Sequence, residues 1–371
     1  MNKKLLIVIL VLAVSAISFT RSFLGLVGAI PWHYGYSDVY NEDRLNAGLA
    51  EKIPYLEQPV EYPVITGFFI YSMWVVGRSL LGYAMLTGIF LAIFTIITAV
   101  TLYKLAELFG IHKSRLYWCF IFAPSLLFFE IYNWDIIAVM FMALAIYFFC
   151  KNRFVWSSVL LGLGFNAKWF PIVLLPIMLL KTSIKDGIKI TLIFFLTFFI
   201  LNVYFIANSF DVWKLTYSYH SSREPNIDSV WSLSGLDTSA INILSMALFL
   251  IAYAILIMHH KKHGVITLSF ASLMLFLLFN KIFSPQYILW LLPFIVLFQS
   301  VKRSVFYSLE AANLAVFFST SYWILASKEQ IFLIVSRVSV MARSLILTYF
   351  IYTLFTMPNP EVEIPAKAKQ I

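Results

Sequence analysis

Residues 1–19 read MNKKLLIVILVLAVSAISF, and the apolar character runs on to Ile30. A helix rises about 1.5 Å per residue, so a bilayer core takes about 20 residues to cross. This run is long enough. It opens with Lys3 and Lys4, the flank that stays cytoplasmic under the positive-inside rule. Ala13 and Ala16 would suit a cleaved leader, but a leader's apolar core is only about 7–15 residues. The run therefore reads as an uncleaved first span, about 5–30.

The rest of the chain agrees with that start. Of its residues 61% are hydrophobic, 18% aromatic and only 12% charged, where soluble domains carry about a quarter charged. Several further runs reach spanning length, and a soluble fold would leave them exposed. They are continuous, without the alternation that barrel strands need. The fold class is an all-α polytopic membrane protein. The net charge of +9 does not point to nucleic acid, because Lys and Arg punctuate the ends of apolar runs instead of clustering. Cys119 and Cys150 both fall in expected membrane helices, so no disulfide framework is indicated.

The basic groups set the topology. Lys104, Lys113, Arg115, Lys151, Arg153, Lys181, Lys185, Lys189, Lys261, Lys262, Lys302, Arg303, Lys367 and Lys369 join Lys3 and Lys4 on one side if every interval holds an even number of crossings. The expected crossings are 80–103, 116–132 with 134–150, 188–207, 239–259, 264–280 with 286–300, and 304–326 with 331–356. A hairpin at 155–180, broken at GFNAKWFP, reaches part way. The total is about twelve helices with both termini cytoplasmic. Residues 63–78 are apolar but short, and a crossing there would spoil the parity. They read as an interfacial helix on the outer face, with 40–52 as a more polar companion; a short true span is the other reading. One domain covers 1–371. It comprises a core module 1–207 with a first outer loop 31–79, a second outer loop 208–238, C-terminal helices 239–356 and a cytoplasmic tail 357–371. One broken hairpin is visible, and no internal repeat.

On this topology the polar residues gather outside. Asp38, Glu42, Asp43 and Glu61 lie on the first loop, and His220, Arg223, Glu224 and Asp228 on the second. Glu130, Asn133 and Asp135 sit where two helices meet. Lys168 marks the hairpin break, and Lys281, Ser284, Gln286 and Tyr287 follow. Arg337 and Arg343 lie inside an apolar run. Glu42 and Asp43 read as solvated; Lys281 reads equally as a headgroup cation. Lys168 and Arg337 demand a cavity or a partner, since a charge inside a span costs about 2.5–3.5 kcal/mol on the insertion scale. Cations at that depth suit an anionic, lipid-borne substrate such as a polyprenol phosphate. Trp32, Tyr34, Tyr36, Tyr40 and Trp231 fit either sugar stacking or an interfacial belt.

An ordered set of short motifs spans roughly residues 30–295: YSD at 36–38, PY at 54–55, EYP at 61–63, NWD at 133–135, NAKWFP at 166–171, a loop at Arg223–Trp231, and KIFSPQYILWLLP at 281–293. The set resembles the polyprenyl-phosphate-sugar-dependent integral-membrane glycosyltransferases of the C superfamily (GT-C). Within it, the family 87 mannosyltransferases are most alike, including the mycobacterial enzyme of phosphatidylinositol mannoside synthesis. The chain is also similar to the enzyme that adds the first mannose of the glycosylphosphatidylinositol anchor. It departs at SREPNID, where relatives carry Arg-Pro and Glu-Ser, and at Val64, where they carry a second proline; both leave the acceptor open.

That resemblance implies the GT-C architecture, with interfacial helices in the first outer loop. It implies sugar transfer, with mannose favoured, from a polyprenyl phosphate to a glycolipid or glycan hydroxyl at the outer face of the cell membrane. It implies Asp38 as catalytic base and His220 as its helper or a donor-phosphate ligand. Arg223, Lys168 and Arg337 are the expected phosphate cations. Gln286 and Tyr287 would hold sugar hydroxyls, Glu61 would position the loop, and Tyr62, Asp135 and Lys281 complete the substrate-binding set. Single displacement would invert the anomeric centre. There is no DxD pair, so neither a metal nor another cofactor is expected. Membrane lipids are expected partners and nucleic acid is not. The rival reading is a transporter or flippase of an anionic lipid-linked substrate, which needs the cations but no base.

Overall fold

A computed structural model describes residues 3–41 and 52–356. Glu42, Asp43, most of the 40–52 companion segment and the 357–371 tail fall outside the described residues.

All regular elements among the described residues are helical. Five helices are long and apolar enough to cross a membrane: α1 (Lys3–Leu26), α3 (Leu80–Leu108), α8 (Ile184–Asn208), α10 (Thr238–Met258) and α14 (Gln330–Thr356). The first expected span is thus matched by a helix long and apolar enough to cross a membrane. Between them stand shorter apolar helices: α2 (Val64–Gly77), α5 (Asp135–Cys150), α6 (Phe154–Ala167), α11 (Val265–Phe279) and two segments at 170–180 and 285–297. A 15-residue helix is about 22 Å long, short of a bilayer's roughly 30 Å.

Burial separates two kinds of helix. In α5 and α11 about three quarters of the residues are buried and none is exposed, as in a core helix. By contrast α8, α10 and α14 bury one narrow stripe and leave Leu192, Ile200, Ile243, Ile251, Val338 and Leu345 exposed. That pattern suits helices around the perimeter facing lipid. On α3 the buried face repeats as Ala84, Thr87, Gly88, Leu91, Thr95, Thr98, Ala99 and Leu102. Small residues at this spacing let neighbours approach closely; a Cβ on Gly88 would sit 2.7 Å from the Phe19 ring of α1.

Several expected helices are interrupted. The 116–132 segment is a π-helical turn (Tyr117–Ile121), then α4 (Pro124–Phe129). Pro124 has no N–H to continue the ladder, so the chain restarts with proline at the first position. The helix at 63–78 exists, and it is integrated into the bundle. A two-residue turn folds α2 back on α3, where Phe69 meets Phe90 and Phe94, and Trp74 meets Tyr83. Its other side reaches α6 through the Thr66 hydroxyl, which donates to Ala167 O at 2.8 Å.

The structure also corrects the expectation of a single broken hairpin. After α6 the chain breaks at Lys168, makes a 3-10 turn at Phe170–Leu174 and ends in α7 (Leu175–Leu180). After α11 it breaks at 280–284, makes a 3-10 turn at Pro285–Trp290 and ends in α12 (Leu292–Leu297). Both carry a lysine at the break and a proline at the start of each short piece. Separate proline spacings hide the likeness in sequence. The end of α12 is closed by Arg115, whose guanidinium donates to Ile295, Val296, Phe298 and Val301 carbonyls.

The stretch after α1 is placed by a close crossing. A Cβ on Gly35 would lie 2.4 Å from Gly25 Cα, and one on Gly25 2.6 Å from Gly35 Cα. Gly35→Ala should therefore destabilise the protein by about 1–3 kcal/mol, the usual cost of overpacking. The apparent unfolding midpoint in detergent measures it; an unchanged midpoint refutes the crossing.

Candidate active site

Three segments converge where helices break. First, Ser37 Oγ donates to Ile131 O and Asp38 N to Tyr132 O (2.8 Å), seating the loop after α1 on the gap between α4 and α5. Arg21 of α1 reinforces this, donating to Tyr34 O at 2.7 Å and Phe128 O at 2.8 Å. The Asp38 carboxylate then accepts from Tyr36 Oη at 2.8 Å and Asn133 Nδ2 at 2.9 Å. It is 8% exposed.

Second, Asn133 also donates to Tyr62 Oη at 2.9 Å, and buried Tyr55 donates to Tyr62 O at 2.6 Å. This fixes the Glu61-Tyr62-Pro63 turn that opens α2. Glu61 accepts from Arg223 Nη1 at 2.8 Å, so the 31–79 and 208–238 segments are latched together.

Third, the 208–238 segment closes the 280–284 break. Trp231 Nε1 donates to Phe279 O at 2.9 Å, Ser229 Oγ to Asn280 O at 3.1 Å and Asn226 N to Lys281 O at 3.0 Å. Arg343, fully buried, donates to Phe283 O (2.9 Å), Asn313 Oδ1 (2.8 Å) and Asp228 O.

The outcome is a cavity of about 190 Å³ lined by Asp38, Glu61, Tyr62, Lys168, His220, Arg223, Lys281, Gln286 and Tyr287, nine of the expected site residues. Two others are not brought to it. Asp135 is buried beneath Lys168, binding that lysine through Oδ1 and Trp290 Nε1 through Oδ2 at 3.1 Å, and does not line the cavity. Arg337 is exposed on α14, away from the cavity. Six residues separate it from Arg343, which rotates the two about 120° apart on a 3.6-residue helix, and the inward place goes to Arg343.

The cations differ. Lys168 is committed to Asp135 and ringed by Tyr62, Tyr287 and Trp290, with Nζ 4.8 Å from the Tyr287 ring. Arg223 shares its charge with Glu61. Lys281 donates to two carbonyls, Arg223 O at 2.6 Å and Ser221 O at 3.3 Å, and makes no ion pair among the described residues. Asn133 and Tyr36 were not in the expected set of site residues, although the sequence marks Asn133 as a polar residue at a helix junction and Tyr36 as a loop aromatic. A second cavity, about 510 Å³, shares Asp38, Arg223, Ser284 and Gln286 with the first.

His220 sits on amphipathic α9 (Phe210–Ser222). Trp213 donates to Asn202 Oδ1 at 2.8 Å, and Trp169 lies between Tyr217, tilted with centroids 5.0 Å apart, and the His220 ring, edge-to-face at 5.1 Å. The imidazole bonds Glu61 O at 3.4 Å, not Asp38.

The chain matches no protein-family profile and no curated protein.

Burial pushes His220 below the ordinary imidazole value, against the pull of Glu61 and with help from Arg223 and Lys168. The folded protein thus binds fewer protons here than the unfolded chain, and stability falls as pH drops below about 6.5. His220→Gln should remove that acid-side loss, measured as the melting midpoint between about pH 7.5 and 5; an unchanged slope would sink the assignment.

Proposed function

We propose that the protein is a polytopic GT-C glycosyltransferase of the cell membrane that moves a sugar, mannose by resemblance, from a polyprenyl phosphate to an acceptor hydroxyl. One arrangement supports this above all: a tethered carboxylate, Asp38, stands in the wall shared by a cationic cavity and a second, larger one. A transporter's binding site would need the cations alone. The cavities open on the extracytoplasmic face in this reading, about twelve helices cross or enter the membrane, and both termini are cytoplasmic.

The donor phosphate lies in the first cavity against Lys281 and Arg223, with Lys168 in its aromatic ring adding field. The acceptor oxygen attacks the anomeric carbon as the carbon–oxygen bond to phosphate breaks. Its proton passes to Asp38, and polyprenyl phosphate leaves as an anion that needs little acid assistance. The product is inverted. Tyr36 and Asn133 hold the base; His220 and Glu61 hold the latch around the phosphate. Gln286 and Tyr287 face the sugar. No residue is assigned to a metal.

The flippase reading gains from the second broken hairpin, because transporters often carry such breaks at corresponding positions. Asp38→Asn separates the two. Transfer from radiolabelled polyprenyl-phosphate mannose to membrane lipid should fall by about 10²–10⁴-fold with donor binding retained. Full transfer refutes the base, and full lipid translocation without any transfer favours the flippase.

A further inference from the structure

The larger cavity contains a buried carboxylate that the proposed transfer does not use. Asp228 is 8% exposed and Gln286 4% exposed, and both line this cavity. Among the described residues, Asp228 Oδ1 and Gln286 Oε1 accept no hydrogen bond. A buried acceptor without a donor costs about 1–3 kcal/mol, so such atoms mark a place for a ligand. Asp228 is held with its backbone carbonyl on Arg343, and the nearby guanidinium and the Thr320 hydroxyl favour the charged carboxylate. Desolvation pushes Asp228 up to about 6.

The lining indicates what fits. Asp38, Glu224, Asp228 and Gln286 offer acceptors, Arg223 brings one cation, and Thr320 and Ser321 add hydroxyls. Three carboxylates against one arginine that is itself paired with Glu61 disfavour a phosphate and suit a ligand rich in O–H donors. At the rim Ile324 and Leu325 are exposed and apolar, as a site for a head group on an apolar tail would be.

We propose that this cavity is a polyol subsite, in which Asp228 and Gln286 accept hydrogen bonds from the hydroxyls of a sugar or cyclitol head group. Its role as the acceptor side of Asp38 rests on the transferase reading; polyol binding itself does not.

The test uses the purified full chain in nanodiscs, with methyl and octyl α-D-mannopyranoside as probes read by saturation-transfer NMR and thermal shift. Wild type should bind octyl mannoside. Asp228→Ala should weaken it about tenfold, the worth of one hydrogen bond to a charged group, with Asp228→Asn between them. Ser321→Leu, which fills the cavity without altering Asp228, should abolish binding, and keeps the test valid if Asp228→Ala misfolds. Tighter binding of the octyl than of the methyl glycoside supports a membrane-borne polyol, and equal binding a soluble one. Unchanged affinity in Asp228→Ala and Ser321→Leu overturns the subsite, as does preference for octyltrimethylammonium over octyl mannoside. If transfer fails with every donor while Asp228-dependent binding persists, the reaction falls and the subsite stands. If transfer proceeds with an unchanged acceptor KM in Asp228→Ala, the subsite falls and the reaction stands.

Discussion

A helix that breaks among apolar neighbours must have its freed carbonyls and amides satisfied by the protein itself, because no water reaches them. The whole site is a consequence. Ile131 and Tyr132 carbonyls are capped by Ser37 and Asp38. Phe279, Asn280, Lys281 and Phe283 carbonyls are capped by Trp231, Ser229, Asn226 and Arg343. The 31–79 and 208–238 segments are therefore bound to the breaks by need of hydrogen bonds, and the side chains they carry arrive in one place. Asn133 shows the economy of this: one amide steadies both Asp38 and Tyr62.

Charge is arranged on the same principle. Lys168 stands over Asp135 and among aromatic faces, where cation–π attraction and a carboxylate replace lost hydration. Arg343 reaches three carbonyl or amide oxygens and covers the Phe283 ring, its guanidinium 3.7 Å from the centroid. Neither is free to bind a ligand at full strength. Lys281, held by carbonyls alone, keeps its charge for the cavity. The two cavities thus differ in sign, one rich in cations and one in acceptors, with Asp38 between them. This asymmetry suits a site that takes a phosphate on one side and a hydroxyl on the other.

Much was legible in the residues. Hydropathy and charge placement gave the helical membrane class, the first span, the helix at 63–78 and the break at Lys168, because apolar burial and helix-breaking prolines are local properties. The motifs held eight residues of the cavity, and the family resemblance added His220. Arg337 was misjudged because the apolar run gives depth but not the rotation of a helix around its axis. Asp135 was misjudged because a carboxylate near a cation reads alike whether it faces ligand or supports the lysine. The second hairpin was missed because its prolines lie eight residues apart, not five.

By itself the sequence determined that this chain is a bundle of apolar helices with basic ends, and that its polar residues lie at a few helix junctions. Transfer energies and backbone chemistry act residue by residue, so they can be read in a line. Only the tertiary structure decided which junctions meet: that Ser37 caps Ile131, that Arg223 latches to Glu61, and that Arg343 carries the loop of Asp228. Those pairings join residues more than ninety positions apart, and long-range packing, not local preference, selects them.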